Sequence, residues 1–271
     1  MAIITISRGS FAGGKGVAER VAARLGWPLL SREEVVRQAA GDYGISVDEL
    51  AGALNQSPPF WQQMLGKRVA YVKCVTAVLL DHAREGKLVY HGYAGHLLLS
   101  GLPHVLRVRV IAEMDYRVRR AMEEAKLTRE HAIAQIHRVD KERSRWARLL
   151  YGVELDDPNQ YDAVLNVGRM TVEGACEVIV GMSKLKEFEP TAEGQKKLED
   201  LSLSSRVWAA MARNVETRSA GLQVTADGGE VLITGNVGSN KAAEAIGRLA
   251  AQVEGVKRLR CEAGMGTDWY W

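Results

Sequence analysis

The chain has little of what would mark it as exported, metal-bound or nucleic-acid-binding. Its three cysteines, Cys74, Cys176 and Cys261, are widely separated and form no C-x-x-C. That excludes a disulfide framework and fits buried or incidental thiols in a reducing compartment. The six histidines show no metal-ligand spacing; the closest pair, His91 and His96, flanks a glycine-containing turn, and no metal ligand is expected there. A net charge of +3 is too small to argue for nucleic acid. The longest apolar stretches, such as Cys74 to Leu80, fall far short of a bilayer span. The N-terminus runs straight into a strand pattern with no secretory leader, so a cytoplasmic location is expected.

What is present is ordinary globular composition, 271 residues with 46% hydrophobic and 25% charged, enough for one medium domain and a small one. The informative stretch is Met1 to Leu25. Ala2-Ile3-Ile4-Thr5-Ile6 is a short β-branched run, Ser7 to Gly14 is a turn-rich loop, and from Lys15 onward Val17, Val21, Ala22 and Leu25 recur at helical spacing. Strand, glycine loop and helix are the setting of a phosphate-binding loop. Gly9-Ser10-Phe11-Ala12-Gly13-Gly14-Lys15-Gly16 fits G-x-x-x-x-G-K, and Gly9 to Val17 are the candidate cofactor-binding residues. Glycines let backbone N–H groups converge on phosphate oxygens, the helix N-terminus adds partial positive charge, and Lys15 adds a full one. The Ser or Thr that usually follows the lysine and touches Mg²⁺ is replaced by Gly16-Val17. Mg²⁺ would then be held mainly by phosphates and water, with Ser7 and Ser10 as candidate hydroxyls.

The rest of the first 187 residues alternates helices and strands. Strands are expected at 27–30, 88–92, 105–111 and 161–166, and helices after Ser31, Ser46, Phe60, Asp115, Thr128 and Glu173, with a break at Ser57-Pro58-Pro59. This is an α/β pattern with a mostly parallel sheet flanked by helices, whose ligands bind at the carboxyl ends of strands. In the helix ending near Tyr151, Arg138, Lys141, Arg145 and Arg148 share one face, with Asp140 and Arg143 off that stripe. Such a stripe is a solvated face in most proteins; beside a phosphate loop its guanidinium groups gain a use in offsetting transferred charge. A polar linker is expected at 188–199. Residues 200–271 then read α-β-β-α-β, with an Asp227-Gly228-Gly229 hairpin turn and an aromatic end at Trp269, Tyr270 and Trp271.

Several of these stretches, in this order, resemble the cytidylate kinase-like family of P-loop nucleoside monophosphate kinases: Ile3-Ile-Thr-Ile-Ser-Arg8 with its loop, Leu88 to Gly92, Val105 to Ala112 with Arg117, Arg138-Val-Asp-Lys-Glu-Arg-Ser-Arg145, and Tyr161-Asp162 to Asn166. The resemblance implies a P-loop kinase fold over residues 1–187, ATP and Mg²⁺ as cofactors, and phosphoryl transfer to a nucleoside monophosphate, CMP or dCMP foremost. It implies catalytic roles for Lys15, Arg138, Asp140, Arg143 and Arg145, the last four from a lid closing over the phosphates. Cytidylate kinases carry an arginine and an aspartate after the glycine ending the second strand; here Tyr93, Ala94, Gly95 and His96 follow Gly92. Residues 200–271 resemble a BON domain on Leu222 to Val237 and Val253 to Lys257, which implies a regulatory or ligand-binding module for a lipid, small ligand or protein. A nucleotide-binding sensor without turnover and a kinase for another small acceptor are the alternatives. No nucleic-acid partner and no transmembrane segment are expected.

Overall fold

A computed structural model describes residues 2–55, 61–92, 94–212, 214, 216–217 and 221–265, with the backbone alone at 53–55, 61–68 and 265. Tyr93, the Ser57-Pro58-Pro59 break and the aromatic end at 269–271 lie outside the described residues. In chain order the elements are β1 (Ile3–Arg8), α1 (Gly14–Leu25), β2 (Leu29–Ser31), α2 (Arg32–Tyr43), α3 (Val47–Asn55), α4 (Trp61–Arg84), β3 (Leu88–His91), α5 (Gly95–Leu98), β4 (Val105–Ile111), α6 (Met114–Ala125), α7 (Arg129–Tyr151), β5 (Ala163–Asn166), α8 (Val172–Met182), α9 (Ala192–Ala212), β6 (Gly221–Asp227), β7 (Glu230–Val237), α10 (Asn240–Ala251) and β8 (Arg258–Met265). Two compact units result. One gathers the chain up to Glu34 with Glu85–Gly194; the other gathers Val35–Leu54, the helix ending at Arg84, and the chain from Gln195.

The first unit is a parallel five-stranded sheet in the order β2-β3-β1-β4-β5, the P-loop kinase fold. β1 lies at its centre and is buried almost throughout because both its faces are covered. On one face Ile4 and Ile6 pack with Val17 and Val21 of α1, Val108 and Val110 of β4, and Ile179 of α8. Thr5 and Ser7 alternate to the other face. Short α5, which follows β3, is packed so closely there that a Cβ on Gly95 would lie 2.5 Å from two ring atoms of the fully buried Tyr90. Gly95→Ala is therefore expected to cost about 1–3 kcal/mol of stability, read from denaturant unfolding; a change within about 0.5 kcal/mol would show that this face can relax. A further small core joins α6 and α7 through Val118, Ala121, Ala132 and Ile136, with Phe11 of the loop packed against it.

In the second unit β6 and β7 form an antiparallel hairpin, its turn made by Gly228 and Gly229 at φ 58° and 97°, and β8 runs parallel to β7 after α10. Val207, Trp208 and Met211 of α9 close over Leu222, Val231 and Ile233 of the sheet and Ile246 of α10. Ala70 of α4 belongs to the same core. Cys74 and Ala77 of α4 meet Ala209 of α9, with Tyr43 and Ile45 packed beside them, and Ser202 donates to Asp81 Oδ1 at 2.9 Å. The helices that interrupt the chain between β2 and β3 thus share a core with the C-terminal module. Of the stretch 188–199, expected as linker, the part from Ala192 on is helix: Thr191 Oγ1 accepts the Gly194 N–H at 3.0 Å, and α9 runs on from Ala192. Its polar residues are the exposed side of that helix, and Gly194 and Leu198 the buried side. No helix among the described residues is long and apolar enough to cross a membrane.

Candidate active site

The loop after β1 sits at the carboxyl end of the sheet, where parallel strands present their ligands. Gly9 donates to the Val110 carbonyl at 3.3 Å and Ala12 to the Gly9 carbonyl at 3.2 Å, so the loop is pinned to β4 and to itself. Gly13 caps α1 at φ 77°, a left-handed conformation that glycine adopts without strain. The first intrahelical bond of α1 comes from Val17, to the Gly13 carbonyl, which leaves the N–H groups of Gly14, Lys15 and Gly16 as first-turn donors. Gly14 is backed by Arg8, whose Cβ would lie 2.6 Å from an added side chain. Val17 belongs to the core and not to the loop surface.

Two hollows flank this loop. The larger, of about 610 Å³, is bordered by Ser10, Phe11, Gly13, Lys15 and Gly16. The smaller, of about 190 Å³, is bordered by Ser7, Gly9, Ala12, Arg109, Arg117 and Tyr161. Arg8 and Arg143 border both. The Arg8 Nε is buried without a hydrogen-bond partner among the described residues, as expected of a donor arranged for an anion rather than for the protein. Lys15 stands at the rim, 66% exposed, with Glu19 at 3.8 Å.

Helix α7 closes on the loop through two residues that are off its basic stripe. Asp140 Oδ1 accepts from Ser10 Oγ at 3.0 Å, and its Oδ2 accepts from Arg117 Nη2 at 2.5 Å. Arg117 Nε also donates to the Ser10 carbonyl at 2.7 Å. Arg143 Nη1 donates to the Arg8 carbonyl at 3.2 Å and to Ser10 Oγ at 3.3 Å. The stripe itself faces away. Arg138 is exposed and 3.6 Å from Glu142, Arg148 pairs with Glu154 at 2.6 Å, and Lys141 and Arg145 are exposed. Of the lid residues expected at the phosphates, the structure brings Asp140 and Arg143 to the loop and leaves Arg138 and Arg145 on the outer face, since residues at i and i+7 point the same way.

Behind the smaller hollow, Ser7 Oγ and His96 Nδ1 are 3.0 Å apart, and His96 packs against the Tyr161 ring with centroids 4.6 Å apart. Burial, reinforced by the Arg107 and Arg109 charges, lowers the His96 pKa from 6.5 to about 4. His91 and His104 are lowered too, chiefly by burial. A group whose folded pKa is depressed leaves the unfolded chain to bind the proton first. Stability is therefore full above pH 6.5 and falls as pH drops toward 4, by on the order of 3 kcal/mol for His96 alone. Urea unfolding at pH 7 and pH 5 checks this, and His96→Gln should flatten the slope. An unchanged slope would mean that His96 takes up a proton in the folded chain.

Residues 3–169 match the sequence profile of the cytidylate kinase-like family. The chain belongs to that family. Residues 199–262 match the BON domain and form it here. A cytidylate kinase of Ignicoccus hospitalis is 25% identical over 184 residues, 67% of this chain and 99% of the relative. One from Archaeoglobus fulgidus is 25% identical over 188 residues, 69% of this chain and 97% of the relative. An uncharacterized protein of Eubacterium ventriosum, known from its crystal structure, shares the fold at TM-score 0.54 and 20% identity, covering 67% of this chain and 97% of its own. Membership places the chain among the phosphotransferases that use ATP and a divalent metal. Within this cytidylate kinase-like chain, Arg8, Arg109, Arg117, Tyr161 and Asp156 also border the smaller hollow, and motif reading had not assigned them to the site. Arg109 had a readable signal, one of two charges, with Arg107, in a strand whose other residues are apolar; Asp156, on a turn before β5, had none.

Proposed function

We propose that this chain transfers the γ-phosphoryl group of ATP to a nucleoside monophosphate, with CMP or dCMP as the first candidates. The observation that carries this reading is the joining of lid and loop at Ser10, whose hydroxyl donates to Asp140 and accepts from Arg143 of α7. The relatives named cytidylate kinase supply the acceptor class. Bound ATP and Mg²⁺ would supply the transferable group and a divalent charge. The loop amides from Gly13 to Gly16 and Lys15 hold the donor phosphates, while Arg143 offsets charge on the transferring group. Asp140 is a positioning residue: it fixes Arg117 and the Ser10 hydroxyl. No covalent intermediate is needed, because the work is alignment of donor and acceptor.

The oxygens nearest the loop, on Ser10 and Asp140, are engaged by guanidinium groups. That setting suits phosphate and disfavours a divalent cation, so Mg²⁺ would be held by phosphates and water. The missing hydroxyl is not forced by crowding, since a Cβ on Gly16 would meet only Val172 Cγ1 at 3.9 Å. Gly16→Ser is expected to keep its melting temperature and to lower the Mg²⁺ needed for half-maximal turnover. An unchanged Mg²⁺ requirement would show that this position lies out of reach of the metal. The BON domain is read as a regulatory or ligand-binding module, which its shared core with α4 supports. The reading is tested by ADP release from ATP and Mg²⁺ with CMP, dCMP, UMP, AMP and GMP. Turnover with a cytidine monophosphate above the others is expected. ATP binding with no turnover on any acceptor would overturn it in favour of a sensor.

A further inference from the structure

β4 is an interior strand, between β1 and β5. Interior strands of parallel sheets are covered on both faces and are normally apolar, yet β4 carries Arg107 and Arg109. Arg107 has a structural use: its Nε and Nη2 grip Asp162 at 3.1 and 2.6 Å. Arg109 is held differently. Its Nη1 donates to Tyr161 Oη at 3.1 Å and to the Leu155 carbonyl, and its guanidinium carbon is 5.4 Å from the centre of the Tyr161 ring. Its anionic partner is Asp156, on the turn before β5.

The pair is asymmetric. The Arg109 side chain is 17% exposed and that of Asp156 is 83% exposed. A solvated carboxylate on a turn pays little to leave, whereas a nearly buried guanidinium with no anion costs several kcal/mol. The smaller hollow lies at this pair, bordered also by Arg8, Arg117 and Arg143. Asp140, its other carboxylate, is committed to Arg117 and Ser10. Without Asp156 the hollow would be strongly cationic, with the Ser7 hydroxyl at its wall.

We propose that Arg109 recognises the phosphate dianion of the acceptor and that Asp156 is its exchangeable placeholder, displaced when that phosphate enters. This assignment rests on the phosphotransfer reading for the identity of the ligand, but not for its test. Arg109 presents a planar fork suited to two phosphate oxygens, on an element too rigid to follow the lid. Tyr161 and the Leu155 carbonyl keep the fork oriented while the anion exchanges.

Calorimetric titration of the full chain tests this, with the loop saturated by a non-hydrolysable ATP analogue and with CMP, cytidine and inorganic phosphate as probes. Arg109→Gln should weaken CMP and phosphate about tenfold or more and leave cytidine unchanged. Asp156→Asn is on an exposed turn and should fold normally; it removes the competitor's charge, so CMP and phosphate should bind several-fold more tightly. Unchanged CMP and phosphate affinities in Asp156→Asn, equal losses for CMP and cytidine in Arg109→Gln, or no binding of either anion to the unmodified chain would each overturn the assignment. Phosphate binding that depends on Arg109 in a chain that phosphorylates no monophosphate would instead leave the anion site standing and remove the kinase reading.

Discussion

Lys15→Ala should lower turnover by about 10²-fold or more, the loss typical when a positioned charge is taken from a developing anion. The folded chain gives the reason to expect so clean an effect. Lys15 is 66% exposed, and among the described residues it pairs with Glu19, one helical turn along at 3.8 Å. Such a pair is worth a few tenths of a kcal/mol, so the variant should melt within a degree or two of the parent. Lys15→Arg should rescue poorly, because a broad planar fork does not replace a compact ammonium in a loop of this size. Steady-state kinetics beside thermal melting measure both sides of the expectation. Full turnover in Lys15→Ala would remove the loop from the chemistry.

Asp140→Ala should be damaging in a different way, losing both stability and rate. Asp140 ties Ser10 of the loop to Arg117 of α6, and the Arg117 side chain is only 13% exposed. Removing the carboxylate leaves a mostly buried guanidinium without its anion, at a cost of about 1–3 kcal/mol after allowing for the partial exposure of Asp140 itself. The loop would also lose its anchor to the lid, and a shift of about 1 Å in a positioned group can cost about 10²-fold in rate. Asp140→Asn keeps an acceptor oxygen and should fall between. The diagnostic combination is a lower melting temperature with a lower kcat; a melting change alone would make Asp140 structural only.

These two residues also show how far the sequence could be read. The loop from Gly9 to Lys15 was legible because its glycines, its lysine and its place between a strand and a helix all follow from local chemistry. The order of strands and helices was legible from periodicity for the same reason. Orientation of a helix was not. Periodicity groups Arg138, Lys141, Arg145 and Arg148 on one face and sets Asp140 and Arg143 apart, but it does not say which face turns inward. The inner positions are the ones that continue the buried ridge through Ile136 and Ala147, a pattern with weak contrast because alanine marks it. The helix within 188–199 was not legible because a charged stretch with one leucine, Leu198, looks like a linker until that leucine is seen to be buried. The packing of Cys74 and Ala77 against Ala209 joins residues more than a hundred apart, and no local pattern reports such a contact. Arg109 was visible as an oddity in β4, but its meaning came from Tyr161 and Asp156, which only folding brings beside it.

The most direct measurement is label transfer from γ-labelled ATP to CMP, run with the parent chain and Lys15→Ala under the same Mg²⁺ conditions. Labelled CDP from the parent, reduced about 10²-fold in the variant, is the expected result. Label that stays in ATP or appears only as inorganic phosphate, or CDP formed equally by both proteins, would contradict phosphoryl transfer at this loop.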